Sequence, residues 1–115
     1  MCRAAARAAR PPGVALPSMP YFAVTVEHGD NWDSSRGMRE QDEWDAHAKF
    51  MDALVDEGFV VLGGPVGDGE RVLMAVWADS EDAVEARFAE DPWRPMGLLR
   101  TATVEPWDIL LDGRA

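Results

Sequence analysis

The chain has 115 residues, 47% of them hydrophobic, and a formal net charge of -10. This length supports one domain with a modest core, which association with a second copy would enlarge. The acidic balance argues against a nucleic-acid partner and an anionic membrane surface, because phosphates are bound by clustered Lys and Arg, and no apolar run approaches the roughly 20 residues that span a bilayer.

Residues 1–18 differ in composition from the rest of the chain. They contain three arginines, three prolines and no acidic residue. This composition suits a targeting peptide or a disordered basic arm, although a secretory signal is disfavoured because a continuous apolar stretch is missing. We favour a third interpretation, in which translation of the natural protein starts at Met19. We therefore divide the chain into an N-terminal extension, 1–18, and a folded domain, 19–115.

The chain has one cysteine, Cys2, which lies in this extension. Neither an intrachain disulfide nor a cysteine-based metal site can form from a single cysteine. The cysteine usage is typical of a reducing compartment, so we expect a cytoplasmic protein.

The folded domain is predicted to begin with a strand and a polar loop. Apolar residues alternate over 21–26, which indicates a strand with one buried face. The polar segment 28–39, which starts with His28, predicts a loop. Trp32 inside this loop is either a lid or a hydrophobic anchor.

A helix and a short strand are predicted next. Over residues 41–57, apolar side chains recur at spacings of three and four and form one helix face. Gly58 suits the left-handed conformation that ends a helix. The apolar run 59–62 predicts a strand, which we expect residues 63–65 to break before a turn at 67–70.

The last elements are a strand, a helix and a strand. Residues 71–77 predict a strand, and the continuously apolar run 72–77 within it indicates that this strand is buried on both faces. Asp79-Ser80 is a cap signal that begins a helix, and this helix ends at Asp91, because the residue before a proline is disfavoured in helical geometry. Residues 100–111 predict the final strand, and Pro106 places that strand at an edge or a bulge.

The predicted order of strand, helix, strand, strand, helix, strand is the ferredoxin-like βαββαβ pattern of an α+β protein. Two helices cover one face of a four-stranded antiparallel sheet, whereas the apolar run 72–77 indicates that the other face is buried too. The simplest partner for that face is a second copy of the chain. We therefore predict a homodimer that packs sheet to sheet.

An ordered set of short motifs extends across residues 19–111. It comprises Trp44-Asp45-Ala46-His47, Asp56-Glu57-Gly58, Gly63-Gly64-Pro65, Asp91-Pro92-Trp93, Gly97-Leu98 and Val104-Glu105-Pro106-Trp107. Through this order and spacing, the chain resembles the YCII-related (YciI-like) family of dimeric α+β barrels. The Asp-Gly-Pro-Phe motif of a neighbouring branch is absent.

The resemblance implies an active site formed by a histidine and an aspartate, which here are His47 and Asp91. Relatives with the same barrel include isomerases, dehydrohalogenases and cofactor-free oxygenases, and the resemblance does not choose among their reactions. It implies a small-molecule ligand of unknown identity and no cofactor.

The chemistry of a histidine paired with a carboxylate suits proton transfer. A neutral imidazole accepts a proton at one nitrogen while the other donates to the carboxylate, which orients the ring and stabilises the imidazolium. We therefore predict a cofactor-independent enzyme of lyase, isomerase or hydrolase type, with His47 as general base or acid and Asp91 as its partner. The alternative is a non-catalytic small-molecule-binding or accessory dimerisation module, in which the pair is structural. A pocket beside the pair would favour a ligand-binding site.

Four further residues are predicted to contact the substrate. Trp44 and Trp93 could line an aromatic cleft, although packing in the core or the dimer is the favoured interpretation for each of these large aromatics. The segment Gly63-Gly64-Pro65, which supplies the predicted contacts Gly64 and Pro65, could bring the backbone N–H groups of its glycines to a developing oxyanion. The simpler interpretation is a turn that ends a strand. No metal site is predicted, because one histidine among scattered carboxylates is a weak ligand set.

Overall fold

The computed structural model describes residues 20–113, so the predicted extension 1–18 lies outside the described residues. The described part contains four strands, two α-helices and one short 3-10 helix. The elements are β1 (Tyr21–His28), the 3-10 helix (Met38–Glu40), α1 (Trp44–Asp56), β2 (Val60–Val66), β3 (Arg71–Trp77), α2 (Glu81–Phe88) and β4 (Leu99–Trp107).

The strands form one antiparallel sheet in the order β2-β3-β1-β4. Strand β1 pairs with β3 on one side and with β4 on the other, so it lies inside the sheet. This arrangement confirms an α+β fold with a four-stranded antiparallel sheet and two helices, and it is compatible with the ferredoxin-like fold.

The core lies between the helices and one face of the sheet. Phe22, Val24 and Val26 alternate along β1 with partly buried residues and are at most 4% exposed. They pack in the same cluster as Leu54 of α1 and Phe88 of α2, which are fully buried. The alternation predicted for this strand is therefore confirmed, and it identifies the face that carries the site.

Helix α1 is shorter than the predicted span 41–57. It begins at Trp44, because Glu43 adopts a left-handed conformation with φ of 61° that helical geometry excludes. The preceding Gln41 is only 3% exposed, since its side chain is hydrogen-bonded to the loop backbone. Gly58 has φ of 80°, so its predicted place at the end of the helix is confirmed.

The prediction that residues 63–65 break the second strand is wrong. They lie inside β2, where Gly63 pairs with Met74 and Pro65 pairs with Val72. A proline is tolerated there because β2 is an edge strand, which has a free side. A β-carbon on Gly63 would lie 2.7 Å from the Met74 side chain, so glycine permits a close contact with β3.

The second helix and the last strand end earlier than predicted. The cap predicted at Asp79-Ser80 is formed by Ser80, whose side chain accepts a hydrogen bond from the N–H of Ala83. The helix stops at Phe88, and the following residues continue as turns. The final strand was predicted to continue to residue 111, but β4 ends at Trp107, with Pro106 on the edge strand.

The second face of the sheet carries apolar side chains that the helices do not cover. Leu62, Leu73 and Trp107 are 59%, 39% and 40% exposed. On the same face Tyr21 stacks on Trp77, with 6.4 Å between ring centroids. The apolar run in β3 therefore has one face in the core and one face that is only partly covered within a single chain.

Candidate functional site

The structure brings His47 and Asp91 into direct contact. His47 lies in the first turn of α1, and its Nδ1 is 2.9 and 3.0 Å from the two carboxylate oxygens of Asp91. His47 is 7% exposed and Asp91 is fully buried. The two groups therefore interact away from bulk water, where a charged hydrogen bond is strong.

A tight turn after α2 positions the carboxylate. The N–H of Asp91 donates to the carbonyl of Phe88, and the carbonyl of Asp91 accepts from the N–H of Arg94. The Asp91 Oδ1 also accepts from the N–H of Trp93 at 2.9 Å. An aspartate side chain that binds the backbone two residues ahead stabilises such a turn, and here it holds the carboxylate beneath α1.

The histidine ring is held by stacking on Trp93. The two ring centroids are 3.8 Å apart and the planes differ by 4°. The indole Nε1 of Trp93 donates to the carbonyl of Asp42 at 2.7 Å, which fixes the indole. Trp44 packs at a tilt against both rings, 5.8 Å from each. This packing restricts rotation of the imidazole.

These contacts determine which nitrogen of His47 can react. An ionised carboxylate accepts hydrogen bonds only, so Nδ1 carries the proton that points to Asp91. In the neutral ring, Nε2 is then unprotonated. Within residues 20–113, the His47 side chain forms hydrogen bonds only through Nδ1, with Asp91. Nε2 is therefore an available proton acceptor.

A cavity of about 360 Å³ opens beside the pair, between α1 and the core face of the sheet. Its walls are mainly apolar and include Val26, Trp32, Met51, Val72, Met74 and Leu99. Its polar groups come from His28, Arg36, His47, Asp91 and Arg94. A mostly apolar cavity with a few convergent polar groups is typical of a small-molecule site.

Trp32 forms part of the roof of this cavity. Its ring stacks on His28, with 3.7 Å between centroids, and its edge meets Trp93 at 5.6 Å. Both interpretations of Trp32, as a lid and as an anchor, agree with this position, since the residue lines the cavity and also packs against its neighbours.

His28 was assigned to a polar loop, and this assignment is wrong. It is the last residue of β1 and lines the same cavity as His47. Burial lowers the pKa of His28, although the charges of Glu70 and Asp68 oppose the effect. The alternation of β1 contained the signal, because His28 follows Val26 by two residues and so shares its face.

Arg94 was missed by the sequence interpretation. Its Nη1 donates to Thr101 Oγ1, and its Cζ lies 5.0 Å from the centre of the Phe88 ring. Burial lowers the pKa of Arg94, and the nearby charge of Asp91 opposes this shift. Arg94 lies in an irregular turn, where no sequence periodicity identifies which side chains point inward.

Of the four predicted substrate contacts, two lie at the cavity. Pro65 and Trp93 line it, whereas Trp44 and Gly64 do not. Trp44 instead packs against His47 and Trp93. Gly64 pairs with Leu73 in the β2–β3 ladder, so the turn expected at this position is absent.

Residues 20–113 contain neither a metal-ligand cluster nor a membrane-spanning helix. No group of three or more His, Cys, Asp and Glu side chains is arranged to hold a metal ion. None of the described helices combines the length and the apolar character needed to cross a bilayer.

Comparison of the chain with protein-family models, with curated proteins and with solved structures found no match. The site is therefore interpreted from its own geometry.

Proposed function

We propose that this protein is a cofactor-independent, YCII-like enzyme of lyase, isomerase or hydrolase type that acts on a small molecule. The observation that carries this proposal is the position of His47 on the cavity wall, with Asp91 buried behind it. A structural pair needs no adjacent space, whereas a proton-transfer site needs room for a substrate.

In the proposed mechanism, His47 Nε2 accepts a proton from the bound molecule, for example from a carbon beside a carbonyl. Asp91 accepts the hydrogen bond from Nδ1 and stabilises the imidazolium that forms. The stacked Trp93 keeps the ring in place during the transfer. The imidazolium then returns the proton to another atom of the same molecule or to a leaving group.

The apolar cavity walls support this chemistry because they exclude water. In a site of low polarity, the interaction between the imidazolium and the Asp91 carboxylate is stronger than in water. Trp32 lines the cavity from the loop that follows β1, so a bound molecule would contact this side chain.

We further propose that the working form is a cytoplasmic homodimer in which two sheets face each other. The partly exposed Leu62, Leu73 and Trp107 on the uncovered face support this arrangement. A two-fold dimer joins identical patches, so an apolar patch on one copy meets the same patch on the other.

The proposal is tested by incubating the purified protein with fractionated small-molecule extract and following the mixture by mass spectrometry. We expect a compound to be consumed by the wild type and to remain with His47→Gln, a variant that keeps a polar side chain of similar size. Lys49→Gln, on the exposed side of α1, is the matched control and should behave as the wild type. A compound that binds but stays unchanged would favour the non-catalytic binding module, which the same cavity could serve.

A further inference from the structure

Arg94 is a cation at the cavity whose charge no carboxylate neutralises by direct contact. Among residues 20–113, Arg94 forms no ion pair. Its Nη1 binds a hydroxyl group, and its Nε is buried without a hydrogen-bond partner. Guanidinium groups stay protonated in proteins, so Arg94 carries a positive charge without an ion-pair partner among residues 20–113.

The second arginine at the cavity is in a different state. Arg36 is bound to Asp33 at 2.9 Å and to Asp42 at 3.4 Å, and all three side chains are exposed. Its charge is therefore satisfied outside the cavity and screened by solvent. Of the two arginines at the cavity, Arg94 is therefore the one without an anionic partner.

The other charged group near Arg94, the Asp91 carboxylate, does not form an ion pair with it. Asp91 is close enough to influence Arg94 electrostatically, but its oxygens accept hydrogen bonds from His47 and from the Trp93 backbone. Burying a charge without a partner is costly. A ligand that brings one negative charge to Arg94 would remove this cost.

We propose that the cavity binds a small, flat organic carboxylate, with its acid group against Arg94 and its apolar body between Trp32 and Met74. This inference rests on the proposed function in one respect, because both require a small molecule in the cavity. It adds the class of that molecule and assigns Arg94 as the residue that selects it.

The chemistry of the site favours a carboxylate over a phosphate ester. One guanidinium supplies one positive charge and a planar set of donors that matches a carboxylate. A doubly charged phosphate would leave excess negative charge beside Asp91. The mainly apolar walls and the indole of Trp32 suit a flat hydrocarbon body.

The test compares 2-naphthoate with its uncharged isostere, 2-naphthamide, as probes for the wild-type protein. Binding is followed by NMR through the indole N–H signals of Trp32 and Trp93. We expect 2-naphthoate to bind about tenfold more tightly than the amide, which corresponds to one charge-assisted hydrogen bond. In Arg94→Gln this preference should disappear, and in Arg94→Lys part of it should remain.

Two control variants separate this inference from its alternatives. Arg36→Gln removes the other cavity arginine and should keep the preference for the acid. His47→Gln should keep it too, so loss of proton transfer and loss of anion selection are measured independently. Indole spectra that match the wild type establish that each variant is folded.

The proposal would be overturned by equal affinities for the acid and the amide, or by a preference that survives in Arg94→Gln. Tighter binding of 2-naphthyl phosphate than of 2-naphthoate would contradict the singly charged head group. Failure of both naphthalene probes to bind at millimolar concentration would also reject the assignment.

Discussion

At the scale of single residues, Asp91 has the most constrained environment of the site. It is fully buried, and both its oxygens lie within hydrogen-bonding distance of His47 Nδ1, while one also accepts from the Trp93 backbone. The Asp91 side chain therefore orients His47, and it also stabilises the turn in which Asp91 itself lies. Removing its negative charge affects stability as well as chemistry, because the donors around it lose their acceptor.

We predict that Asp91→Asn lowers the free energy of unfolding by about 1–3 kcal/mol, the cost of leaving buried donors unsatisfied. The substitution keeps the shape but replaces one acceptor oxygen with an amide group. Urea unfolding measures the change. Asp52→Asn, on the exposed side of α1, is the matched control and should change stability by less than about 0.5 kcal/mol. Equal changes for both variants would contradict the proposed role of Asp91.

His28 gives a prediction about pH. Burial lowers its pKa below the ordinary value, so the folded state binds this proton less readily than the unfolded state. At high pH the titration of His28 therefore does not change the free energy of unfolding. As the pH falls below about 6.5, protonation of His28 in the unfolded state lowers this free energy. His28→Phe keeps the stack on Trp32 and removes the titration.

The measurement for His28 is the difference in unfolding free energy between the wild type and His28→Phe across about pH 5 to 8. We expect this free-energy difference to be constant above about pH 7. Below about pH 6.5, the variant should become more stable relative to the wild type. If this free-energy difference did not change with pH, folding would not lower the pKa of His28, and the prediction would be wrong.

At the scale of elements, the loop between β1 and α1 is fixed to the segment that precedes β4. The N–H of Gly29 donates to the carbonyl of Leu98 at 2.8 Å, and the N–H of Asn31 donates to the carbonyl of Gly97 at 2.9 Å. These bonds place Trp32 over the cavity. They require Gly29, since a β-carbon there would lie 2.2 Å from the Gly97 carbonyl oxygen.

We predict that Gly29→Ala separates these two segments and costs about 1–3 kcal/mol, as expected for an added group that a packed site cannot hold. Gly64→Ala is the matched control, because a β-carbon at Gly64 meets nothing within 4 Å. Urea unfolding gives the stabilities, and amide hydrogen exchange should show faster opening of the loop in Gly29→Ala only. Unchanged exchange would mean that the backbone contact does not hold Trp32.

The strands show which sequence patterns predict secondary structure correctly and which do not. The period of two in β1 and the apolar run of β3 identified both strands, because burial imposes those patterns directly. The Gly63-Gly64-Pro65 segment was misassigned because its residue types usually end strands, whereas an edge position accepts them. The edge position depends on strand order, which the local sequence does not contain.

The same reasoning explains what was found and missed at the site. The resemblance identified His47 and Asp91 as partners, and the structure places them in contact. Arg94 lies in an irregular turn where inward and outward positions follow no period. His28 was missed because the polar residues after it hid its place on the buried face of β1.

At the scale of the whole molecule, the uncovered face of the sheet is the surface on which the proposed homodimer would form. A chain of this size buries a limited fraction of its surface, so an exposed apolar face on a central sheet favours a partner. With a formal net charge of -10, two copies repel each other over long distances. Association therefore depends on this apolar face and should be more stable at higher salt concentration.

We predict that Leu73→Lys converts the proposed dimer to a monomer, because the substitution would place a charge on each side of the proposed interface. Sedimentation velocity measures the mass of the assembly. Ala86→Lys, which adds the same charge to an exposed position of α2, is the matched control and should remain dimeric. A wild type that sediments as a monomer would contradict the sheet-to-sheet arrangement.

The proton-transfer role of His47 is tested most directly by deuterium exchange. A panel of small carbonyl compounds, including oxo acids and lactones, is incubated with the protein in D2O, and NMR follows the loss of carbon-bound proton signals. We predict that the wild type accelerates exchange in at least one compound and that His47→Gln slows this exchange by about 10²- to 10⁴-fold, the usual contribution of a general base. Exchange by folded His47→Gln at the wild-type rate would contradict the account.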